Sequence, residues 1–207
     1  MGDPVDIVTS RLWVSNTPTE VAERVAMAVA WAYELSRGAE EVYDVHAGEW
    51  LRVDRGPHAA LVATVFPTQP DVCSADLVSV GSDKVRIIEV KGRGGSGSIE
   101  LPERELDTLR CAGVNAWLYV VWNVTQPSPV ELWAVRDPGA LDWVEKRAAE
   151  RPLGTDRGVR HEAKFDLPAE VVAGSGEQIA LPAAILEQAR QLKAEAHAKG
   201  WILHAPR

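Results

Sequence analysis

The sequence predicts a mixed α/β fold in which a central sheet is flanked by helices. Three observations support this prediction. A capped helical segment lies near the N-terminus, several short apolar runs bounded by Gly and Pro follow it, and further helical segments lie among and after those runs. The order of helix, strands, helix and strands is that of a mixed sheet with helices packed on it.

The first helix is predicted over residues 17–37. Thr17, Pro18 and Glu20 have the spacing of a capping box with proline at the first helical position, and Gly38 supplies the C-terminal stop. Apolar residues recur along one side, and the middle of the segment is apolar on the far side as well. We therefore expect the middle of this helix to be covered on both sides.

Several candidate strands follow the first helix. "EEVYDVH" is a short one, and "AALVATVF", which ends at Pro67, is another inside an insertion around residues 47–72. The runs "ADLVSV" and "VRIIEV" are separated only by "GSDK", which predicts a hairpin. We therefore expect two adjacent antiparallel strands in the middle of the chain.

The rest of the chain continues the alternation. "LPERELDTLRCAG" predicts a helix, "NAWLYVVWNV" a buried strand, and "VELWAVRDP" a strand that stops at Pro138. Residues 139–150 are predicted to be helical, and "PAAILEQARQLKAEAHAKG" is predicted as a capped C-terminal helix. These segments divide the chain into a domain over residues 1–160 and a C-terminal helical extension over residues 161–207.

Composition limits the kind of protein. The 207 residues are 46% hydrophobic, enough for one sizeable core. The net charge of -8 gives no general attraction for nucleic acid or anionic membrane, so a nucleic-acid contact would need a local basic patch or a metal ion. Two cysteines make neither a disulfide framework nor a zinc cluster, and the apolar runs are too short to span a bilayer. We expect a cytoplasmic protein that is not inserted in a membrane.

The predicted hairpin brings charged side chains together. If "GSDK" is the loop, Val80 faces Val85 and Asp76 falls opposite Glu89. Lys91 lies on the same face as Glu89, because residues two apart in a strand point the same way. Like charges directly opposite each other destabilise an antiparallel pair. A cation between the two acids is therefore expected.

Two different cations fit that position. Lys91 itself would make an ordinary ion network at a sheet edge. A divalent ion would instead make a site for phosphodiester hydrolysis, since Mg²⁺ takes hard oxygen ligands and lowers the pKa of a bound water. Lys91 would then orient the water or offset the developing negative charge. The spacing alone leaves both interpretations open.

The pattern D-x12-E-x-K, on a hairpin after a helix that bears a glutamate, resembles the PD-(D/E)XK nuclease superfamily. More narrowly, "ERVAMAVAWAYELSRG", "IIEVKGRGGSGSIEL" and "WLYVVWNV" followed by "VRDP" are similar to the NO VEIN C-terminal-like domain, over roughly residues 20–140. The resemblance implies a restriction-endonuclease-like sheet and Mg²⁺-dependent or Mn²⁺-dependent endonuclease activity on DNA.

The resemblance also implies roles for particular residues. Asp76 and Glu89 match the metal ligands, joined by the Val90 carbonyl, and Lys91 matches the catalytic lysine. Glu23 matches the catalytic glutamate of the first helix.

Four further residues belong to this hypothesis. Glu34 is the alternative to Glu23. Asp71 is the alternative to Asp76, because this chain has "SADL" where the family has a Gly-Tyr-Asp-like turn, and the connection before Asp76 is unusually long. Glu105 matches a supporting acid in the helix after the glycine-rich loop. Arg93 lies inside that glycine-rich loop, which suggests a phosphate contact; the alternative is that the loop is only a mobile connector.

The resemblance further implies a setting in bacterial defence or DNA processing, with a separately encoded helicase or ATPase as partner. Two functions remain open. The complete acid–acid–lysine set favours a nuclease. The acidic chain and the lack of a motor favour a catalytically silent module that binds nucleic acid or a partner protein.

Overall fold

The structure is a computed structural model that describes residues 18–45, 53, 56–66, 73–82, 84–95, 97–152 and 159–200. The helices in these ranges are α1 (Pro18–Ser36), α2 (Ala59–Ala63), α3 (Glu103–Ala112), α4 (Ala169–Ser175) and α5 (Ala183–Ala198). The strands are β1 (Glu41–Asp44), β2 (Leu77–Val80), β3 (Val85–Gly92), β4 (Ile99–Pro102), β5 (Ala116–Trp122), β6 (Glu131–Arg136), β7 (Val144–Pro152), β8 (Val159–Leu167) and β9 (Glu177–Ile179).

The main sheet has six strands in the order β1-β2-β3-β5-β6-β9. Neighbouring strands are antiparallel, except that β3 and β5 run parallel. The parallel pair is possible because β4 and α3 form the long connection that such a pair needs. A second sheet has the order β4-β8-β7. The predicted mixed central sheet flanked by helices is confirmed.

The two faces of the main sheet are covered by different elements. Leu77, Ile88 and Tyr119 pack against α1 and α5 on one face. On the other face, Val85 and Ile87 pack against α2 and α3, while β5 is covered by the second sheet. Because side chains alternate along β3, its odd-numbered residues point toward α3.

Most predicted elements are confirmed. The first helix spans Pro18–Ser36, although its proposed cap Thr17 lies outside the described residues. The hairpin has the predicted register, with Val80 paired to Val85. The predicted strand before Pro138 is β6, and the C-terminal helix is α5.

Two predicted elements are wrong. Within "AALVATVF", the alanine-rich part forms the short helix α2, and Thr64 Oγ1 donates to the Leu61 carbonyl at 2.7 Å in the turn that ends it. Alanine favours helix, and the buried residues Val62, Val65 and Phe66 follow a helical spacing. The segment predicted as helix over residues 139–150 is instead strand β7 from residue 144 onward, because pairing with β8 outweighs its local helix propensity.

The C-terminal part of the chain contributes to both sheets. Strand β8 lies between β4 and β7 in the second sheet, and β9 is an edge strand of the main sheet beside β6. Helix α5 buries Ile185, Ala189 and Leu192 in the same cluster as α1. The division of the chain at residue 160 stays a prediction.

Candidate active site

Asp76 lies where the β2–β3 ladder ends. Leu77 is still paired with Ile88, and one residue earlier the Asp76 N–H donates to the Ile88 carbonyl at 3.1 Å. The Asp76 Oδ2 atom then accepts the Val90 N–H at 2.8 Å. In a continued ladder a backbone carbonyl of β2 would accept that N–H. The carboxylate of Asp76 is thus held against the backbone of β3, beside the peptide of the proposed ligand Val90.

Glu89 is a carboxylate buried on the α3 face of β3. Its exposed fraction is 1%, and neither of its carboxylate oxygens accepts an aligned hydrogen bond from a described residue. Burial, reinforced by the charge of Asp76 and, to a smaller extent, by Glu105, holds the pKa of Glu89 well above its usual range, although Lys91 opposes the shift. A buried carboxylate with unused acceptor capacity is costly to the fold, and such groups call for a specific explanation.

Lys91 is the cation nearest to Glu89 among the described contacts. Its Nζ lies 2.6 Å from Glu89 Oε1 and 2.8 Å from Glu105 Oε2. Burial alone would lower the pKa of Lys91, but the carboxylates of Glu89 and Glu105 outweigh burial and raise it. Both pKa values are raised, but for different reasons. Lys91 lies among several carboxylates that stabilise its charge, whereas Glu89 is buried among other acids with one cation beside it in the described contacts. Lys91 is therefore held charged, while the charged form of Glu89 is disfavoured.

Glu105 completes the group from the first turn of α3. Leu106 and Leu109 on the same helix are fully buried against the residues of β3 that point toward α3. This packing fixes the start of α3 above the end of β3. No sequence spacing indicates the Lys91–Glu105 contact, since the glycine-rich loop and β4 separate the two residues.

Glu23 has a different relation to the site. A Cβ built on Gly92 would lie 2.5 Å from the Ala22 carbonyl oxygen, so glycine is required where α1 crosses the end of β3. Glu23 itself is exposed, and α1 packs on the face opposite to Glu89 and Lys91. Glu23 could approach the site only around the Gly92 end of the strand.

Glu34, the alternative to Glu23, lies in a separate network on the α1 face of the sheet. Its carboxylate accepts hydrogen bonds from the hydroxyl groups of Ser79, at 2.7 Å, and Tyr119. Arg37 donates to both of its oxygens at 3.1 and 3.2 Å, and Arg86 lies 3.5 Å away. Glu34 therefore does not join the group around Lys91.

Arg93 continues the row that starts at Glu89. Its N–H donates to the Val121 carbonyl at 2.9 Å, and its carbonyl accepts the Val124 N–H at 3.0 Å, so pairing with β5 extends past Gly92. Alternation along the extended chain places Arg93 on the same side as Lys91. Its Nε atom is buried without a hydrogen-bond partner among the described residues.

The donors at this site fit a hard divalent cation. Glu89 offers two carboxylate oxygens with unused capacity, and the Asp76 carboxylate lies opposite. Within the described ranges, no group of three or more His, Cys, Asp or Glu side chains could hold a metal by itself. This composition is typical of Mg²⁺, which binds one or two carboxylates and keeps several waters. Asp71, the alternative to Asp76, lies outside the described residues.

The family model "Protein NO VEIN, C-terminal" matches residues 22–133, which is more than half of the chain. The chain belongs to this family. The NO VEIN C-terminal match runs from the second turn of α1 into β6, and it therefore includes Asp76, Glu89, Lys91 and Glu105. Neither a curated protein nor a solved structure is significantly similar to the chain. None of the helices in the described ranges combines the length and apolar character that crossing a bilayer requires.

Proposed function

We propose that this NO VEIN C-terminal domain is a metal-dependent nuclease of the PD-(D/E)XK type, with a restriction-endonuclease-like sheet, that hydrolyses phosphodiester bonds of DNA. One observation supports the proposal most strongly. Glu89 is almost completely buried without an aligned hydrogen bond, lies beside a second carboxylate, and has its lysine 2.6 Å away. A buried carboxylate so placed is costly to the fold, which supports a further cation as the partner of its oxygens.

The roles of the side chains follow from their positions. Asp76, Glu89 and the Val90 carbonyl would hold Mg²⁺ or Mn²⁺, which when bound lowers the pKa of a water molecule and offsets charge on the phosphate. Lys91 would orient the attacking water and balance the negative charge that develops as the water oxygen bonds to phosphorus and the bond to the leaving deoxyribose oxygen breaks. The proton of the attacking water would pass to solvent, and the leaving oxygen would take a proton from solvent. Arg93, on the same side of β3, would contact a phosphate of the substrate. Glu23 would contribute only from the Gly92 end of the strand.

The proposed setting is a bacterial defence or DNA-processing system. A separately encoded helicase or ATPase would supply the motor that this chain lacks in the ranges described. The negative net charge supports a partner that delivers DNA, because a protein of charge -8 attracts polyanions poorly.

A catalytically silent module is the second candidate, and one observation favours it. Lys91 is shared between two carboxylates, and the pKa of Glu89 is raised, so the uncharged form of Glu89 competes with metal binding. A domain in that state would bind nucleic acid or a partner protein through its surface and cleave nothing.

A cleavage assay separates the two functions. Plasmid, single-stranded DNA and RNA would be incubated at low salt with Mg²⁺ or Mn²⁺, with and without a helicase or ATPase encoded beside this chain. We expect cleavage of DNA by the wild type and by the exposed-acid control Asp107→Asn, and none by Asp76→Asn or Lys91→Ala. Absence of cleavage by the wild type under every condition, with partner binding unchanged in Lys91→Ala, would favour the silent module.

A further inference from the structure

The two ion pairs of Lys91 are not equivalent. Lys91 Nζ donates an aligned hydrogen bond to Glu105 Oε2 at 2.8 Å. The approach to Glu89 Oε1 is shorter, at 2.6 Å, but it lacks hydrogen-bond alignment. The lysine is therefore bonded to the helix α3 and only adjacent to the acid on its own strand.

Glu105 is well placed to be a fixed anchor. It lies in the first turn of α3, where a carboxylate is favoured by the helix dipole. The next residue, Leu106, is fully buried, and the side chain of Glu105 itself is 16% exposed. A mostly buried carboxylate on a packed helix start has little freedom to follow Lys91 elsewhere.

A divalent ion at Glu89 must change the position of Lys91. The Lys91 ammonium, 2.6 Å from Glu89 Oε1, occupies the position that a divalent ion bound to this oxygen would take. Two cations this close to each other in a buried site repel strongly. Lys91 is only 20% exposed, so a lysine displaced from Glu89 without another partner would be a buried unpaired charge.

We propose that Lys91 is the cation that a divalent ion displaces from Glu89, and that Glu105 is the positioning residue that keeps Lys91 at the site when this happens. The inference rests on the proposed metal-dependent function and gives Glu105 a defined part in it. Glu105 acts through Lys91 and is not itself a metal ligand. The exchange holds the ammonium beside the phosphate instead of releasing it to solvent.

Mn²⁺ affinity, measured by calorimetry without any substrate, tests this exchange. Lys91→Met should bind Mn²⁺ more tightly and Glu105→Gln more weakly, each by about tenfold, which is within the usual coupling between contacting groups. Glu103→Gln, an exposed acid in the same helical turn, should bind as the wild type does. In the Lys91→Met background, Glu105→Gln should weaken binding by clearly less than about tenfold, because only the direct action of the Glu105 charge on Glu89 remains there.

Glu105→Asp distinguishes position from charge. The variant keeps the negative charge but shortens the side chain by one methylene, so it should bind Mn²⁺ more weakly if reach to Lys91 matters. Wild-type affinity in Glu105→Asp, or equal weakening by Glu105→Gln with and without Lys91, would show that Glu105 acts only as a charge or a ligand and would overturn the inference.

The remaining outcomes are also decisive. Near-ultraviolet circular dichroism without Mn²⁺ checks that each variant is folded. If Glu105→Gln does not fold, Glu105→Asp replaces it in the Mn²⁺ binding measurements. Mn²⁺ binding by the wild type together with unchanged affinity in every Glu105 variant would refute this inference and leave the proposed function intact. No Mn²⁺ binding by the wild type would refute the proposed function and this inference with it.

Discussion

Two carboxylates, Glu34 and Glu89, are each only 1% exposed, and they lie on opposite faces of the main sheet. Glu34 receives hydrogen bonds from two hydroxyl groups and from the guanidinium of Arg37, with Arg86 close by. Glu89 has one lysine beside it, no aligned hydrogen bond from a described residue, and another acid opposite. The two carboxylates are thus equally buried, but the described residues supply aligned hydrogen-bond donors to Glu34 and none to Glu89.

The two carboxylates differ in whether the fold itself supplies their hydrogen-bond donors. A buried charge that is fully hydrogen-bonded can stabilise a fold and fix the position of a helix, as Glu34 does for the end of α1. A buried charge with unused acceptors costs stability, and its retention points to a ligand. The two carboxylates should therefore respond to substitution in opposite ways.

The largest expected effect is at Glu34. Glu34→Ala leaves the Ser79 and Tyr119 hydroxyl groups without their acceptor. It also removes the carboxylate beside the Arg86 guanidinium, which then keeps, among the described acceptors, only the Tyr119 oxygen at 3.0 Å. The substitution should reduce the free energy of unfolding by about 3 kcal/mol. Urea denaturation measures the change. Glu23→Ala, an exposed carboxylate on the same helix, is the matched control and should stay within about 0.5 kcal/mol of the wild type. A loss below about 1 kcal/mol in Glu34→Ala would mean that the network contributes little.

A smaller loss is expected when one donor to Glu34 is removed. Tyr119→Phe deletes a hydroxyl group that donates to the carboxylate and should cost about 2 kcal/mol. Its cost should be smaller in the Glu34→Ala background, because only the hydrogen bond that the hydroxyl group accepts from Arg86 then remains to be lost. Equal costs in both backgrounds would show that the hydrogen bond from Tyr119 to Glu34 contributes nothing to stability.

The smallest effect, and one of opposite sign, is expected at Glu89. The folded-state pKa of Glu89 is raised, so the folded protein binds more protons than the unfolded chain between the ordinary glutamate pKa of about 4.3 and the raised value. Stability contributed by this group is therefore present at low pH and is lost as the pH rises through the folded pKa. Glu89→Gln avoids that loss and leaves Lys91 paired with Glu105.

Glu89→Gln should accordingly be more stable than the wild type by about 1 kcal/mol at pH 8, and the gain should vanish near pH 4. Urea unfolding of both proteins across that pH range, without divalent ions, measures it. If Glu89→Gln loses stability at pH 8, as Glu34→Ala is expected to do, the contrast between the two carboxylates is wrong.

Much of the fold follows from local patterns in the sequence. The capped first helix, the hairpin around "GSDK" and the apolar runs of β5 and β6 carry strong signals, and the register of the hairpin fixes where Asp76 and Glu89 meet. The segment that forms β7 could not be predicted, because its charged, alanine-containing sequence takes strand structure only by pairing with β8. The opposite error occurs at α2, where a short apolar run typical of a buried strand forms a helix.

The site was partly accessible to sequence reasoning. Spacing within one hairpin connects Asp76, Glu89 and Lys91, because neighbouring strands have a fixed geometry. Glu105 joins them across the glycine-rich loop and β4, and that contact depends on how α3 packs over the sheet. The sequence indicates Glu34 only as an alternative to Glu23, because its separate network depends on Arg86 and Tyr119, which no spacing along α1 reveals.

The most direct test of the account is Mn²⁺ binding by variants of the two buried carboxylates, measured by calorimetry at a temperature at which all of them are folded. We predict that the wild type and Glu34→Gln bind one Mn²⁺ with similar affinity. Asp76→Asn and Glu89→Gln should bind at least about tenfold more weakly, since even residues that only support metal ligands contribute that much to affinity. Equal binding by Glu89→Gln and the wild type, or weakened binding by Glu34→Gln alone, would contradict the assignment of Glu89 to a metal site.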